Sequence, residues 1–298
     1  MKTTLPHVRV LSYGGGLDSF AMPLDGVERG ERPDVCIFLD VSDGKAPGEW
    51  PGTYRHLREV VQPLCAREGI EFVWLDTATY PVRDAPSLFD WMLARDQIPV
   101  AGPNRICTRI AKVERFEAWM RDRFPATDVE VWIGFEAGEE DRAAKDPNAG
   151  TKRRAAPGEA QRLNRFPLIE RGLCRCRCED LVRRHALPLP RKSACTFCPY
   201  GSLSDWQAFA RELPDDFARV ADLEARKPPT KTGKKLSIMG YRTFRDAEGQ
   251  VTGYRAPPLP TYIQGRPRGT RRPCKVCGRA ERATKATGCD YLEEATTA

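Results

Sequence analysis

Ser12-Tyr13-Gly14-Gly15-Gly16-Leu17-Asp18-Ser19 is the stretch on which the fold of this 298-residue chain turns. The apolar run Val8 to Leu11 before it reads as a first β-strand, and Phe20-Ala21-Met22 after it reads as the opening of a helix. Three glycines at a strand-to-helix turn can present successive backbone N–H groups to an anion. The helix N-terminus adds the positive end of its dipole. Ser19 can cap that helix or give its hydroxyl to a phosphate oxygen. The stretch therefore reads as a phosphate cradle, and a phosphate cradle points to a nucleotide.

The Walker A pattern ends in Gly-Lys-Ser/Thr, whereas Leu17-Asp18-Ser19 stands here. The G-x-G-x-x-G dinucleotide fingerprint is absent too, because residue 19 is not glycine. Strand and helix signals alternate onward. Asp34 to Asp40 reads as a buried strand, Ile70 to Leu75 as a third strand and Val129 to Ile133 as another. Thr53 to Glu68 and Cys107 to Phe124 carry apolar residues at helical spacing. This alternation predicts a doubly wound, mostly parallel α/β sheet with ligands at the carboxyl ends of its strands. The glycine loop, Asp40 and Gly134 all fall at that edge. A polar, Gly/Pro-punctuated loop spans 141–162, and two short helices are expected near Leu203–Glu212 and Asp215–Arg226.

Hydrophobic residues make up 41% and charged residues 30%, as in globular proteins. The longest apolar runs are far shorter than the ~20 residues of a membrane span. Met1 to Arg9 lacks the apolar core of a signal peptide, so a cytoplasmic location without membrane partners is expected. In that compartment the 11 cysteines should stay reduced or hold metal. Residues 226–298 carry 16 Lys/Arg against 6 Asp/Glu, while residues 1–225 carry 32 against 35. So basic a tail suggests a polyanion, DNA or RNA first, or else a solvated tail with no partner. The chain divides into an α/β nucleotide-binding domain over 1–165, a cysteine-rich helical extension over 166–227 and a basic Pro/Gly-rich tail over 228–298.

Cys195-Thr-Phe-Cys198-Pro199 is a C-x-x-C followed by proline, a spacing that chelates a soft metal from a tight turn. Cys107, at the head of a helix, supplies a third thiolate. The Cys174/Cys176/Cys178 group supplies the fourth, for which we take Cys178. Four thiolates suit a 4Fe-4S cluster or a zinc ion. Cys36 and Cys65 sit in apolar surroundings and read as core. A second site is expected from Cys274-Lys-Val-Cys277, a half zinc ribbon followed only by Cys289.

Taken together, SYGGGLDS at 12–19, FLDVSDG at 38–44, CTRIAK at 107–112, WIGFEAGEEDR at 132–142, FPLIERG at 166–172 and KSACTFCPYGS at 192–202 resemble the phosphoadenosine-phosphosulfate (PAPS) reductase family of the PP-loop ATP-pyrophosphatase superfamily. The chain is also similar to the sulfur-inserting enzyme of DNA phosphorothioation. The resemblance covers about residues 8 to 226 and implies an adenine nucleotide alpha hydrolase-like fold. It implies that Gly14, Gly15, Gly16, Asp18 and Ser19 hold the phosphates of ATP or PAPS with Mg²⁺. Ser12 would replace the hydroxyl that the family carries where Gly14 stands. Asp40 would lie near the adenosine and Gly134 would pass close to the nucleotide. Asp18, Arg109 and Lys112 would be catalytic, and Glu136, Glu140 and Arg142 would line the mouth. The family's C-terminal Glu-Cys-Gly-type catalytic motif has no counterpart here. That shifts the expectation from sulfate reduction toward adenylation of a nucleic acid, with sulfur delivered by a donor protein. Thiol-dependent PAPS reduction is the first alternative. A nucleic-acid-binding or iron–sulfur sensor protein with a degenerate nucleotide pocket is the second.

Overall fold

The computed structural model describes residues 7–101, 105–146, 162–229, 233, 236–239, 242–245, 251–255, 257–265 and 274–279. Strands β1 (His7–Tyr13), β2 (Val35–Leu39), β3 (Glu71–Leu75), β4 (Asp128–Ile133) and β5 (Arg162–Arg165) pair in parallel in the order β3-β2-β1-β4-β5. The parallel α/β expectation is met. Every residue of β2 is buried, as a central parallel strand requires. On one face Leu11, Tyr13, Cys36, Phe38 and Trp132 pack with α1 (Leu17–Glu28), the 51–67 helical segment and the helix Arg175–Arg184. On the other, Val10, Val35, Ile37 and Val131 meet Phe116, Trp119 and Met120. The alternation of neighbouring strand residues between these two sets is the period-two pattern of β-structure with helices on both faces.

β5 escaped the sequence reading because Arg-Leu-Asn-Arg has no apolar alternation. Its side chains are held by polar partners. Arg162 pairs with Glu117, Asn164 donates to Asp146, and Arg165 reaches Glu31, Glu130 and Glu170. Only its first residue falls in the expected 141–162 loop, of which 147–161 lie outside the described residues.

A third core lies past the sheet. It joins Val41, Trp50, Phe89, Phe197, Trp206 and Phe209 to Val220 and Leu223 of the helix Pro214–Arg226. Ile238 and Leu259 belong to the same core, so these two positions beyond 227 pack on the body. Glu224, buried, accepts from Ser237 Oγ (2.7 Å) and from the Ile238 (2.9 Å) and Leu259 (2.7 Å) backbone N–H groups. Beyond these, β6 (Arg242–Arg245) and β7 (Val251–Arg255) pair antiparallel. Among the described residues no helix is long and apolar enough to cross a membrane.

Arg115 ties the carboxyl edge of the sheet together. Its buried guanidinium donates to the carbonyls of Leu75 (3.2 Å), Asp76 (2.7 Å), Tyr80 (2.6 Å), Ala111 (3.0 Å) and Asp40. Burial lowers its pKa to about 10, still high enough to keep it charged at neutral pH. The ends of β2 and β3 and the helix over 106–123 thus share one cation.

His56 is buried edge-on to Phe20, 4.8 Å between ring centroids, and its Nε2–H donates to the Pro188 carbonyl at 3.2 Å. Burial lowers its pKa to about 4. The unfolded chain then binds the proton first as pH falls from the ordinary histidine value of ~6.5. Stability is therefore expected to drop between pH 6.5 and 4 by about 3 kcal/mol from this group, and to stop falling on its account below that. Urea unfolding against pH should show this slope, and His56→Gln should flatten it. An unchanged slope in the variant would contradict the assignment.

Candidate functional site

The glycine loop leaves β1 where the sheet order reverses, with β2 on one side and β4 on the other. This is the topological switch point at which open α/β sheets bind ligands. Gly15 has φ +78°, and a Cβ there would stand 3.0 Å from Thr53 Cγ2 and 3.1 Å from Ser193 Oγ. A side chain there would be strained in conformation and crowded by these two neighbours. Gly16 is the N-cap of α1 and no side chain caps that helix end. Elsewhere Ser87 and Ser202 do cap their helices. Ser19 instead turns its hydroxyl onto the loop. It donates to the Gly16 carbonyl (2.9 Å) and accepts from the Gly14 N–H (3.3 Å).

Asp18, in the first turn of α1, pairs with Arg175 at 3.0 Å through Oδ2. Its Oδ1 is buried with no partner among the described residues, and so is Thr53 Oγ1 beside Gly15. Burial raises the Asp18 pKa, against the opposing charge of Arg175. Two orphaned polar atoms at one loop call for a polar occupant.

Gly134 follows β4 and approaches the same loop. A Cβ at Gly134 would lie 3.1 Å from Ser19 N and 3.2 Å from Ser19 Cα. Ser193, from the segment 192–202, donates its hydroxyl to the Gly14 carbonyl, and the Thr196 N–H donates to the Gly48 carbonyl at 2.8 Å. Two stretches some 180 residues apart in sequence thus meet at the glycine loop.

Asp40 directly follows β2, but its carboxylate is already engaged. It accepts from Tyr54 Oη (2.7 Å), Trp74 Nε1 (3.1 Å) and the Ser42 N–H (3.1 Å). Tyr54 and Trp74 are stacked, 5.7 Å between centroids, so Asp40 fixes an aromatic pair. Ser12 stays within β1, paired with Ile37 and Ile133. Arg109 is mostly exposed and lies 3.7 Å from Glu114. Beside the loop after β4, Glu136 accepts from the Arg175 N–H. Glu140 accepts from the Gly138 N–H, and Arg142 pairs with Glu139.

Lys112 Nζ lies 3.6 Å from Glu49, a carboxylate with no exposed side-chain surface. Glu49 also lies 3.9 Å from Cys195 Sγ, and its Oε2 has no partner among the described residues. Burial raises the Glu49 pKa, opposed by Lys112. Burial also disfavours the Lys112 charge, but Glu49 and the thiols of Cys195 and Cys198 outweigh it and its pKa rises. Cys107 is close enough to act electrostatically on both thiols of the C-x-x-C. Cys178, expected as their fourth ligand, does not join them. It is buried in the core against α1, near Asp18 and Glu136, whereas Cys107 and Cys195 pack on the core past the sheet.

The four cysteines that do come together are Cys174, Cys176, Cys274 and Cys277. Their sulfurs all lie within 4.8 Å of one another, and these four can hold a metal ion. The second expected site thus takes its remaining ligands from Cys174 and Cys176; Cys289 lies outside the described residues. Cys174 occupies the N-cap position of the helix Arg175–Arg184, without a side-chain capping bond, and Cys176 sits in its first turn. Burial pushes the Cys176 thiol up to about 12, while the Arg279 backbone N–H and the neighbouring thiols bring exposed Cys277 down to about 7.

Sequence reasoning missed Glu49, Thr53, Arg175 and Ser193. Arg175 was hidden in a Cys-Arg-Cys-Arg-Cys run read only for its sulfurs, and Ser193 belongs to a motif read for its C-x-x-C. No protein-family model and no curated protein sequence matches the chain.

Replacing Lys112 leaves a buried carboxylate without its cation. Lys112→Met is expected to push the Glu49 pKa higher still. A neutral Glu49 needs no cation, so the loss appears as pH rises. The variant should be less stable than wild type by about 2 kcal/mol at pH 8 and by well under that at pH 5. A pH-independent difference in urea unfolding would contradict the pairing.

Proposed function

We propose that this chain is an adenine-nucleotide enzyme of the PP-loop, PAPS reductase-like type that activates an acceptor by adenylation. The observation that carries the reading is the glycine loop at the switch point, with an uncapped helix N-terminus and the orphaned Asp18 Oδ1 beside it. The N–H groups of Gly14 to Ser19 would take the phosphates. A free carboxylate oxygen is a hard ligand that suits Mg²⁺, so Asp18 would hold that ion, which supplies charge neutralisation on the phosphates. In the proposed reaction an acceptor oxygen attacks the α-phosphorus. The bond to the bridging oxygen breaks, and pyrophosphate leaves with the electron pair. The protein's contribution is positioning and stabilisation of the departing charge.

The basic composition of residues 226–298 supports a nucleic acid as acceptor. Cys195, Cys198 and Cys107 beside Lys112 support a thiol step afterwards, with sulfur from a donor protein. The same cysteines favour thiol-dependent reduction of PAPS as the second reading. For the four-thiolate centre we favour a single zinc-type ion. Zn–S bonds of about 2.3 Å in a tetrahedron set the sulfurs about 3.8 Å apart. A 4Fe-4S cubane fills the space between its thiolates and holds them farther apart.

Calorimetry with Mg·ATP and a pyrophosphate-release assay with added DNA or RNA test the reading. Wild type should bind Mg·ATP and release pyrophosphate, and Asp18→Asn should lower the rate by roughly 10²-fold or more. Sulfite formation from PAPS without pyrophosphate release from ATP would favour the reductase. ATP binding and turnover indifferent to Asp18→Asn would overturn the proposed site.

A further inference from the structure

Residues 274–279 form a compact knuckle. The Gly278 N–H donates to the Cys274 carbonyl (2.9 Å) and the Cys274 N–H to the Arg279 carbonyl (2.7 Å). Gly278 sits at φ +69°, where a side chain would be strained. Three contacts among the described residues tie the knuckle to the rest of the protein. Its two sulfurs meet those of Cys174 and Cys176. Arg279 makes a two-pronged ion pair with Asp180, both bonds 2.9 Å, on the helix Arg175–Arg184. Val276 fills the space that a side chain at Gly138 would take, 3.2 Å from the position of its Cβ. The two surfaces it joins are the start of that helix and the loop after β4. Both also meet the glycine-loop side of the molecule, because Arg175 stands between two of the thiolates in sequence, pairs with Asp18 and donates its N–H to Glu136.

We propose that the ion held by Cys174, Cys176, Cys274 and Cys277 fastens this C-terminal knuckle to the helix Arg175–Arg184 and thereby fixes Arg175 against Asp18, so that metal occupancy sets the conformation of the glycine loop. The inference rests on the single-ion reading of the four thiolates and needs no nucleotide to be bound. Four thiolates around a divalent ion carry a net charge of −2, and Arg175, Arg177 and Lys275 adjoin them in sequence, with Arg279 two residues past Cys277. Without the ion, nothing joins the four sulfurs. The knuckle then keeps only the Arg279–Asp180 pair, which is exposed, and the Val276 contact. Exposed pairs of that kind hold an edge weakly. The first turn of the helix, and Arg175 with it, loses its anchor.

The test is metal analysis and hydrogen exchange on the full reduced chain. One zinc per chain is expected. Cobalt in its place should give the intense thiolate-to-cobalt absorption of a tetrahedral four-sulfur site, lost in Cys277→Ser. Stripping the metal should speed exchange roughly tenfold over 14–20, 134–143 and 174–184 together. Arg175→Gln should keep its zinc and still show the faster exchange over 14–20, a readout that does not depend on stripping. Two disulfides and no metal uptake by the reduced chain would overturn the site. Zinc bound in full, with Arg175→Gln exchanging over 14–20 as wild type does, would overturn the coupling. Neither result bears on ATP binding, so failure here and failure of the nucleotide reading are separable.

Discussion

The close approach of Gly134 to the backbone of Ser19 is the constraint on which the site depends. β1 and β4 are neighbours through six registered pairs, from His7 with Asp128 to Ser12 with Ile133. Beyond them the two chains part, one into the glycine loop and α1, the other into the loop over 134–139. With Cβ–N and Cβ–Cα distances of 3.1 and 3.2 Å, any side chain at 134 would press on backbone, which cannot rotate away as a side chain can. The first turn of α1 therefore sits where β4 ends. Asp18 is brought beside Glu136, and Arg175 answers both.

Around that contact the molecule spends buried charge freely. Arg115 satisfies the carbonyls at the ends of β2 and β3, Glu224 gathers three donors from the chain beyond 227, and Glu49 faces Lys112 next to Cys195. Arg115 and Glu224 are each held by convergent hydrogen bonds, the condition under which burial of such groups is tolerated, whereas Glu49 is answered by the Lys112 cation. Their common effect is to fix loops at the carboxyl edge of the sheet, where apolar packing alone leaves backbone groups to be satisfied.

The fold was legible where periodicity carries it. β1, β2, β3 and β4 showed as strand-like runs, the glycine loop as three residues without Cβ between strand and helix, and the helix Leu203–Glu212 as a short helix at the bounds the structure gives it. β5 was not legible, because its stability is in ion pairs with residues far along the chain. Arg115 was one charged residue in a charged helix. The four-cysteine cluster was half legible. Cys274 and Cys277 advertised a knuckle by spacing, but their partners lie about a hundred residues earlier, a pairing that only the tertiary structure sets. The stronger local signal, Cys195-x-x-Cys198, proved to sit with a lysine and a buried glutamate, while Cys178 went to the core.

A crystal structure grown with Mg²⁺ and a non-hydrolysable ATP analogue tests the central claim most directly. The account predicts phosphate oxygens within hydrogen-bond distance of the N–H groups between Gly14 and Ser19, with the ion on Asp18. An analogue bound elsewhere, or a glycine loop left empty at saturating analogue, would contradict it.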